Sequence, residues 1–270
     1  MDFIEVVVPE RFKLLTPVEA ALLRVGSLGD GGYVVGRESL RRTNGLLSLG
    51  IATDWSFDSD FLRYRPTIRY VACDRGSGTL VHLVAALRNA VCRRSSRAAT
   101  ASFSTALQFF FHLPPWSRRR RFLRKWIRAR IEDAKRDYRW SDLLDLLATS
   151  TPMFVKMDIE GGEYELISEI VVRESASPGT FAGLCIEFHD IRTRESEFLS
   201  LVSDLLKHFA IIHLHANNCV VLSSDFPDVL EITFAPKVDT STSRVLKLPN
   251  TALDAPNDPS APDYSLHFSS

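Results

Sequence analysis

The chain has no CxxC pair, no long apolar run, no net charge and no GxGxxG loop, and each absence removes a class of function. Its four cysteines, Cys73, Cys92, Cys185 and Cys219, are spread over 270 residues. A disulfide scaffold or a cysteine-based zinc module would space them in closer sets. They read instead as reduced thiols of a cytoplasmic protein. No apolar run approaches the roughly 20 residues that span a bilayer, and the N-terminus shows no signal-peptide pattern, so no transmembrane segment is expected. Lys and Arg total 33 and so do Asp and Glu. The overall field therefore attracts neither nucleic acid nor a membrane surface, and no nucleic-acid partner is expected. Without three loop glycines, a dinucleotide-dependent dehydrogenase is the weaker of the nucleotide-using readings.

Short apolar runs bounded by polar turns fill much of the chain. They cover residues 45–50, 68–73, 153–157, 183–188 and 209–215, with 229–234 as an antiparallel partner. Helical patterns alternate with them, as in 164–170 and in 196–208, where Phe198, Leu201, Val202, Leu205 and Leu206 share one stripe. This alternation predicts an α/β fold with a mostly parallel sheet covered by helices on both faces. Residues 98–111 are a candidate third strand, and Pro114-Pro115 breaks the run.

The ends of these strands carry the chemistry. Gly50 closes the first run, where the lack of a side chain lets a ligand approach the backbone. Asp74 closes the second, placed to accept hydrogen bonds from ribose hydroxyls. The Asp30-Gly31-Gly32-Tyr33 turn precedes the first core strand and can fold across a cofactor. The segment Lys156-Met157-Asp158-Ile159-Glu160-Gly161-Gly162-Glu163 passes from strand to helix through two acids and two glycines. Glu187 and His189 close the next run. His213 and His215 alternate in the one after, followed by Asn217-Asn218. Asp158, Glu187, His189 and His215 form one candidate set. A histidine supplies a base near neutral pH, and the same four groups offer nitrogen and oxygen ligands to a divalent metal. Both uses remain open, as does a hydrogen-bond network that only holds loops.

Two stretches stand apart. Residues 114–139 contain Arg118 to Arg121, Arg124, Lys125, Arg128 and Arg130. They are predicted as a basic helical insert covering the mouth of the site: a solvated helix, a clamp for an anionic acceptor or, as the weakest reading, a membrane-surface or nucleic-acid contact. Residues 237–270 are rich in Ser, Thr, Pro and Asp and are predicted as a loosely attached tail. The division is then an N-terminal segment 1–43, a core 44–236 carrying the insert, and the tail.

The run from Lys156 to Glu163 resembles the KxDxEGxE signature of FkbM-type S-adenosylmethionine-dependent methyltransferases and their methyltransferase-like relatives. Asp30 to Tyr33, Gly50-Ile51, Asp54 to Phe57, Glu187 to His189, His215 to Asn218 and Pro227 to Thr233 follow the same order over residues 24–236. The resemblance implies a class I methyltransferase (Rossmann-like) fold: seven strands, mostly parallel, with an antiparallel last hairpin. It implies S-adenosylmethionine as cofactor, held by Asp30, Gly50, Asp54, Ser56, Asp74 and Asp158. It also implies O-methylation of a small-molecule or glycan acceptor, with Asp158, His189 and His215 as catalytic candidates. Another nucleotide-binding enzyme, or a non-catalytic binding protein that keeps the fold, stands as the alternative.

Overall fold

Runs that are apolar at every position fold here as strands buried on both faces, as parallel strands between two helical layers must be. The computed structural model describes residues 3–52, 54–76, 119–147, 150–219 and 225–269. Strands β1 (Phe3–Val7), β2 (Leu22–Val25) and β3 (Tyr33–Gly36) precede helix α1 (Arg37–Arg42) and strand β4 (Gly45–Leu49). Then come α2 (Ser56–Tyr64), β5 (Arg69–Cys73), β6 (Arg120–Leu123), β7 (Trp126–Arg128), β8 (Asp137–Arg139) and α3 (Trp140–Leu147). Next are β9 (Met153–Met157), α4 (Glu163–Ala176), β10 (Phe181–Phe188), α5 (Glu195–Leu205), β11 (Phe209–Ala216) and β12 (Leu230–Pro236). Strands β13 (Lys247–Leu248) and β14 (Asp263–His267) close the chain.

Seven strands form the main sheet in the order β11-β12-β10-β9-β4-β5-β6. Strands β10, β9, β4, β5 and β6 pair in parallel, and β12 runs antiparallel to β10 and β11. This is the class I methyltransferase sheet, with its reversed strand in the last hairpin. One face packs Leu143, Ile167, Ile170, Phe198 and Val202 from α3, α4 and α5. The other packs Leu40, Phe57, Phe61 and the β2–β3 hairpin. The hairpin is pinned to the sheet where Thr233 Oγ1 donates to the Val34 carbonyl at 2.6 Å.

Two expectations fail. The described part of the basic stretch is not a helix. Strand β6 adds an edge to the main sheet, pairing Arg120 to Leu123 with Tyr70 to Cys73, and β7 and β8 form a separate parallel pair. An edge strand has one side open to water, so arginines are tolerated there while Phe122 and Leu123 pack inward. The described part therefore extends the sheet and packs against the core, while residues 114–118 lie outside the described residues. The candidate third strand at 98–111, and Cys92, lie outside the described residues.

The C-terminal segment is not loose. Strand β14 pairs in parallel with β1 and antiparallel with β13, and Leu248, Tyr264, Leu266 and Phe268 join the larger core. Its acids serve as partners for buried histidines. Asp254 Oδ1 lies 3.0 Å from His213 Nε2, and Asp263 Oδ2 lies 3.2 Å from His215 Nε2. Composition suggested a solvated tail because these acids look idle until the histidines are known to be buried beneath them.

Leu266→Ala is therefore expected to cost about 2–5 kcal/mol, as for any buried leucine, measured by urea unfolding. A cost below about 0.5 kcal/mol would mark the segment as loosely attached. The histidine clamp adds a pH dependence. Burial lowers the His215 pKa, but Asp263 and Glu231 outweigh it and raise it from 6.5 to about 10. A folded-state value above the unfolded one means the stabilisation is complete below pH 6.5 and fades as pH rises towards 10. Unfolding free energy should fall across that window, and fall less in His215→Asn. Parallel curves for the two proteins would remove His215 as the cause.

Candidate active site

Three non-glycine residues among those described have positive φ, and all lie where a parallel strand leaves the carboxyl edge of the main sheet. They are Ala52 after β4 (φ 47°), Glu160 after β9 (φ 53°) and Asp190 after β10 (φ 55°). Left-handed backbone costs energy in such residues and collects where surrounding structure holds a site in shape.

The β4 loop is the tightest part. Gly50 has φ +73°, and a Cβ there would lie 1.5 Å from the Asp158 carbonyl oxygen. Asp74, at the end of the neighbouring β5, accepts from Ile51 N at 2.9 Å, Ala52 N at 2.6 Å and Gly76 N at 2.6 Å. Asp74 is thus bonded to the two residues that follow Gly50. Asp54 and Ser56 do something more local. Asp54 accepts from Ser27 Oγ and Ser56 N, both at 2.8 Å, and Ser56 Oγ accepts from Ser27 N at 2.8 Å. They pin the glycine turn that carries Asp30 to the start of α2.

Lys156 is the residue whose role sequence reasoning missed. It sits in an otherwise apolar strand, only 5% exposed. Its ammonium donates to the Gly50 carbonyl and to Asp158 Oδ2 (3.2 Å), and lies 5.2 Å from the centre of the Tyr33 ring. Burial works against its charge, yet Asp158 and Asp58 prevail and raise its pKa. Burial likewise pushes Asp158 up, but Lys156 and then His189 hold it below the usual carboxylate value. A lysine inside a five-residue apolar run is itself a signal, because burying an ammonium requires paired acceptors.

Adjacent to Asp158, strand β10 delivers Glu187 and His189. The register places Ile186 opposite Met157, so both strands run out together. Tyr33 Oη lies 3.1 Å from both Asp158 Oδ2 and Glu187 Oε2. A phenol has one proton, so two hydrogen bonds require that one carboxyl bring its own. Glu187 is that group: burial first, then the charges of Asp158 and Glu231, raise its pKa. Asn217 Nδ2 donates to its Oε1 at 2.8 Å.

His189 is oriented by Glu163, which is fully buried at the start of α4. Glu163 Oε1 accepts from His189 N at 2.8 Å and lies 3.2 Å from Nδ1, while Oε2 accepts from Gly161 N at 2.9 Å. The Nδ1 proton is assigned from this contact. Nε2 then faces Asp158 Oδ1 at 3.9 Å, Glu187 Oε1 at 3.8 Å and Glu160 Oε2 at 3.6 Å. Burial lowers the His189 pKa, but the Glu163 bond and the surrounding carboxylates raise it on balance. An imidazolium has no lone pair, so His189 is not a ready proton acceptor in this state.

His215 does not join the group. It shares a row with Glu231 and Glu187 across β11, β12 and β10, but its nitrogens face Glu231 Oε2 at 3.7 Å and Asp263 Oδ2 at 3.2 Å. The four-residue set predicted from sequence is therefore three residues, Asp158, Glu187 and His189, with His215 assigned to the C-terminal clamp. Asp30 stands nearer than expected. Burial raises its pKa, Asn257 opposes by a hydrogen bond, and Asp158 and Glu231 add to the rise.

Lys156→Met should destabilise the fold by about 3–5 kcal/mol, since it leaves Asp158 and the Gly50 carbonyl without their cation. Urea unfolding at neutral pH measures this. A loss under about 1 kcal/mol would show that water replaces the ammonium and that the contact is incidental.

No family model matches the chain, and no curated protein does. Solved structures of similar fold include the fibrillarin pre-rRNA processing protein of Methanococcus jannaschii. It has 9% identity and a TM-score of 0.35, over 75% of this chain and 70% of that one. Another is precorrin-6y C5,15-methyltransferase from Geobacter metallireducens, at 13% identity and TM-score 0.36, over 74% and 86%. A third is spermidine synthase from Thermotoga maritima, at 10% identity and TM-score 0.39, over 76% and 59%. Likeness at this level says nothing of what the chain acts on; its class I methyltransferase fold stands on the strand order itself.

Proposed function

We propose that this chain is an S-adenosylmethionine-dependent O-methyltransferase, FkbM-type by its Lys156–Glu163 motif, acting on a hydroxyl of a small-molecule or glycan acceptor. The observation that carries the reading is the sharing of one sheet edge by two different ends. At one, the Gly50 loop is locked to Asp74 on β4 and β5. At the other, Asp158, Glu187 and His189 gather on β9 and β10. A side chain at Gly50 would break the close approach of the two loops. Three backbone N–H groups fix the Asp74 carboxylate at the end of β5, the position at which an acid suits ribose hydroxyls.

S-adenosylmethionine would supply an electrophilic methyl group, so the chain has mainly to align donor and acceptor. Asp30, Asp158, Glu160 and Glu231 make the acceptor end acidic, which favours a neutral or cationic acceptor over an anionic one. The arginines of β6 lie four strands from β10, about 19 Å at the usual strand spacing. They are in no position to clamp an acceptor over Glu187. Among the described residues no helix is long and apolar enough to cross a membrane. Cys73, Cys185 and Cys219 are unpaired, which supports a cytoplasmic setting.

Calorimetric titration with S-adenosylmethionine tests the reading. The folded chain should bind it, and Asp74→Asn should lose about 1–3 kcal/mol of binding free energy. A folded wild-type chain that shows no binding at millimolar cofactor would end the proposal.

A further inference from the structure

Each of the three clustered residues has one side-chain atom held by a neighbour outside the group and a second atom that borders the same gap, the second atom of Glu187 also accepting from Asn217. Asp158 Oδ2 takes the Lys156 ammonium and the Tyr33 hydroxyl. Glu187 Oε2 takes the other side of that hydroxyl. His189 Nδ1 takes Glu163. What remains is His189 Nε2, 3.9 Å from Asp158 Oδ1 and 3.8 Å from Glu187 Oε1, with one ligand atom from each residue within 4.8 Å of the others. These separations are too long for hydrogen bonds. Two ligands on one ion at about 2.2 Å each stand about 3.1 Å apart at right angles and about 4.4 Å apart when opposite, so a contraction of roughly an ångström would close the set.

We propose that Asp158, Glu187 and His189 form a binding site for one first-row divalent cation, best suited to Mn²⁺, at the acceptor end of the sheet edge. Glu187 is the anchor: only 3% exposed, its Oε1 accepts from Asn217 and lies 3.8 Å from His189 Nε2, and a cation bound there would displace the protons that Glu187 and His189 carry in its absence. Two carboxylate oxygens with one imidazole nitrogen suit Mn²⁺ better than Ca²⁺, which prefers oxygen alone, and no thiolate is present to select zinc. Glu163 is a positioning residue. A carboxylate on the far nitrogen of a histidine fixes its tautomer and ring plane, which is how metal-ligating histidines are commonly held. Lys156 keeps Oδ2 of Asp158 occupied and turns Oδ1 inward. His215 is excluded because its own nitrogens are engaged by Asp263 and Glu231. The ion's use in activating an acceptor hydroxyl rests on the methyltransferase reading; its binding does not.

The test is direct binding. The full chain is stripped with chelator and titrated with Mn²⁺, free ion being counted by electron paramagnetic resonance. Co²⁺ is titrated in parallel for its visible spectrum, which reports imidazole ligation. One saturable ion per chain is expected. Glu187→Gln and His189→Ala should each weaken it at least ~10-fold, and Glu163→Gln, which keeps all three ligands, by ~10–100-fold. His208→Ala, on the surface beside Ser175, should leave it unchanged. Thermal melting confirms that each variant is folded. Absence of saturable binding in the folded wild type overturns the proposal, as does binding that survives both Glu187→Gln and His189→Ala. S-adenosylmethionine titrated in chelator separates the two ideas. Cofactor binding without Mn²⁺ binding removes the metal site and keeps the enzyme reading; the converse removes the enzyme reading alone.

Discussion

A single buried ammonium ties the sheet edge together. Lys156 reaches from the middle of the sheet to the Gly50 carbonyl on one side and Asp158 on the other. Two loops from adjacent strands are thereby held at a distance that no side chain at Gly50 would permit. An ammonium there is costly unless its three protons find acceptors and its charge finds a counter-charge. Asp158 supplies that charge above, and Asp58, buried on α2 below, adds to it. The Tyr33 ring closes one flank. The glycine loop, the acid at the end of β9 and the hairpin that carries Tyr33 are thus three consequences of placing one cation.

The same face of the sheet carries a second line of charge. Glu187, Glu231 and His215 stand side by side in register on β10, β12 and β11. Each is held from outside the sheet. Asn217 bonds Glu187, Asn257 Nδ2 bonds Glu231 at 2.7 Å, and Asp263 faces His215. Two of these three partners come from the segment after residue 250. It packs over the site's flank, where Arg24 Nη1 donates to the Leu253 carbonyl at 3.2 Å and Asn218 Nδ2 to the Asp258 carbonyl at 2.9 Å. The polar surface near the acceptor end is therefore built jointly by strand ends and by the C-terminal segment.

Much of this was legible in the sequence, for a definite reason. Strands such as Met153–Met157 and Phe181–Phe188 are buried on both faces, so their hydrophobicity is local and continuous. Where such a run stops, an acid or histidine must lie at the edge, and Asp74, Asp158, Glu187 and His189 were found that way. What could not be read depends on distant partners. Tyr33 meets Asp158 across 125 residues and Glu187 across 154. Glu163 passes for a helix-start acid until His189 is seen against it. Strand β6 shows too few apolar residues to stand out, because a sheet edge demands only alternate burial. The segment after residue 237 was misjudged because sparse apolar residues and many acids describe a solvated chain and a clamp equally well.

The pairing of β1 with β14 has a consequence for how the protein is made. Phe3 lies opposite Asp263, so β1 waits for the intervening 259 residues to be made before it finds its neighbour. Contacts of such separation form late. Until then His213 and His215 lack Asp254 and Asp263, and Glu231 lacks Asn257. The central sheet can assemble during synthesis, but one flank of it stays electrostatically unfinished and open to water. A nascent chain is thus barred from a closed, fully neutralised interior until β14 arrives, which makes synthesis of that strand a checkpoint on the mature site.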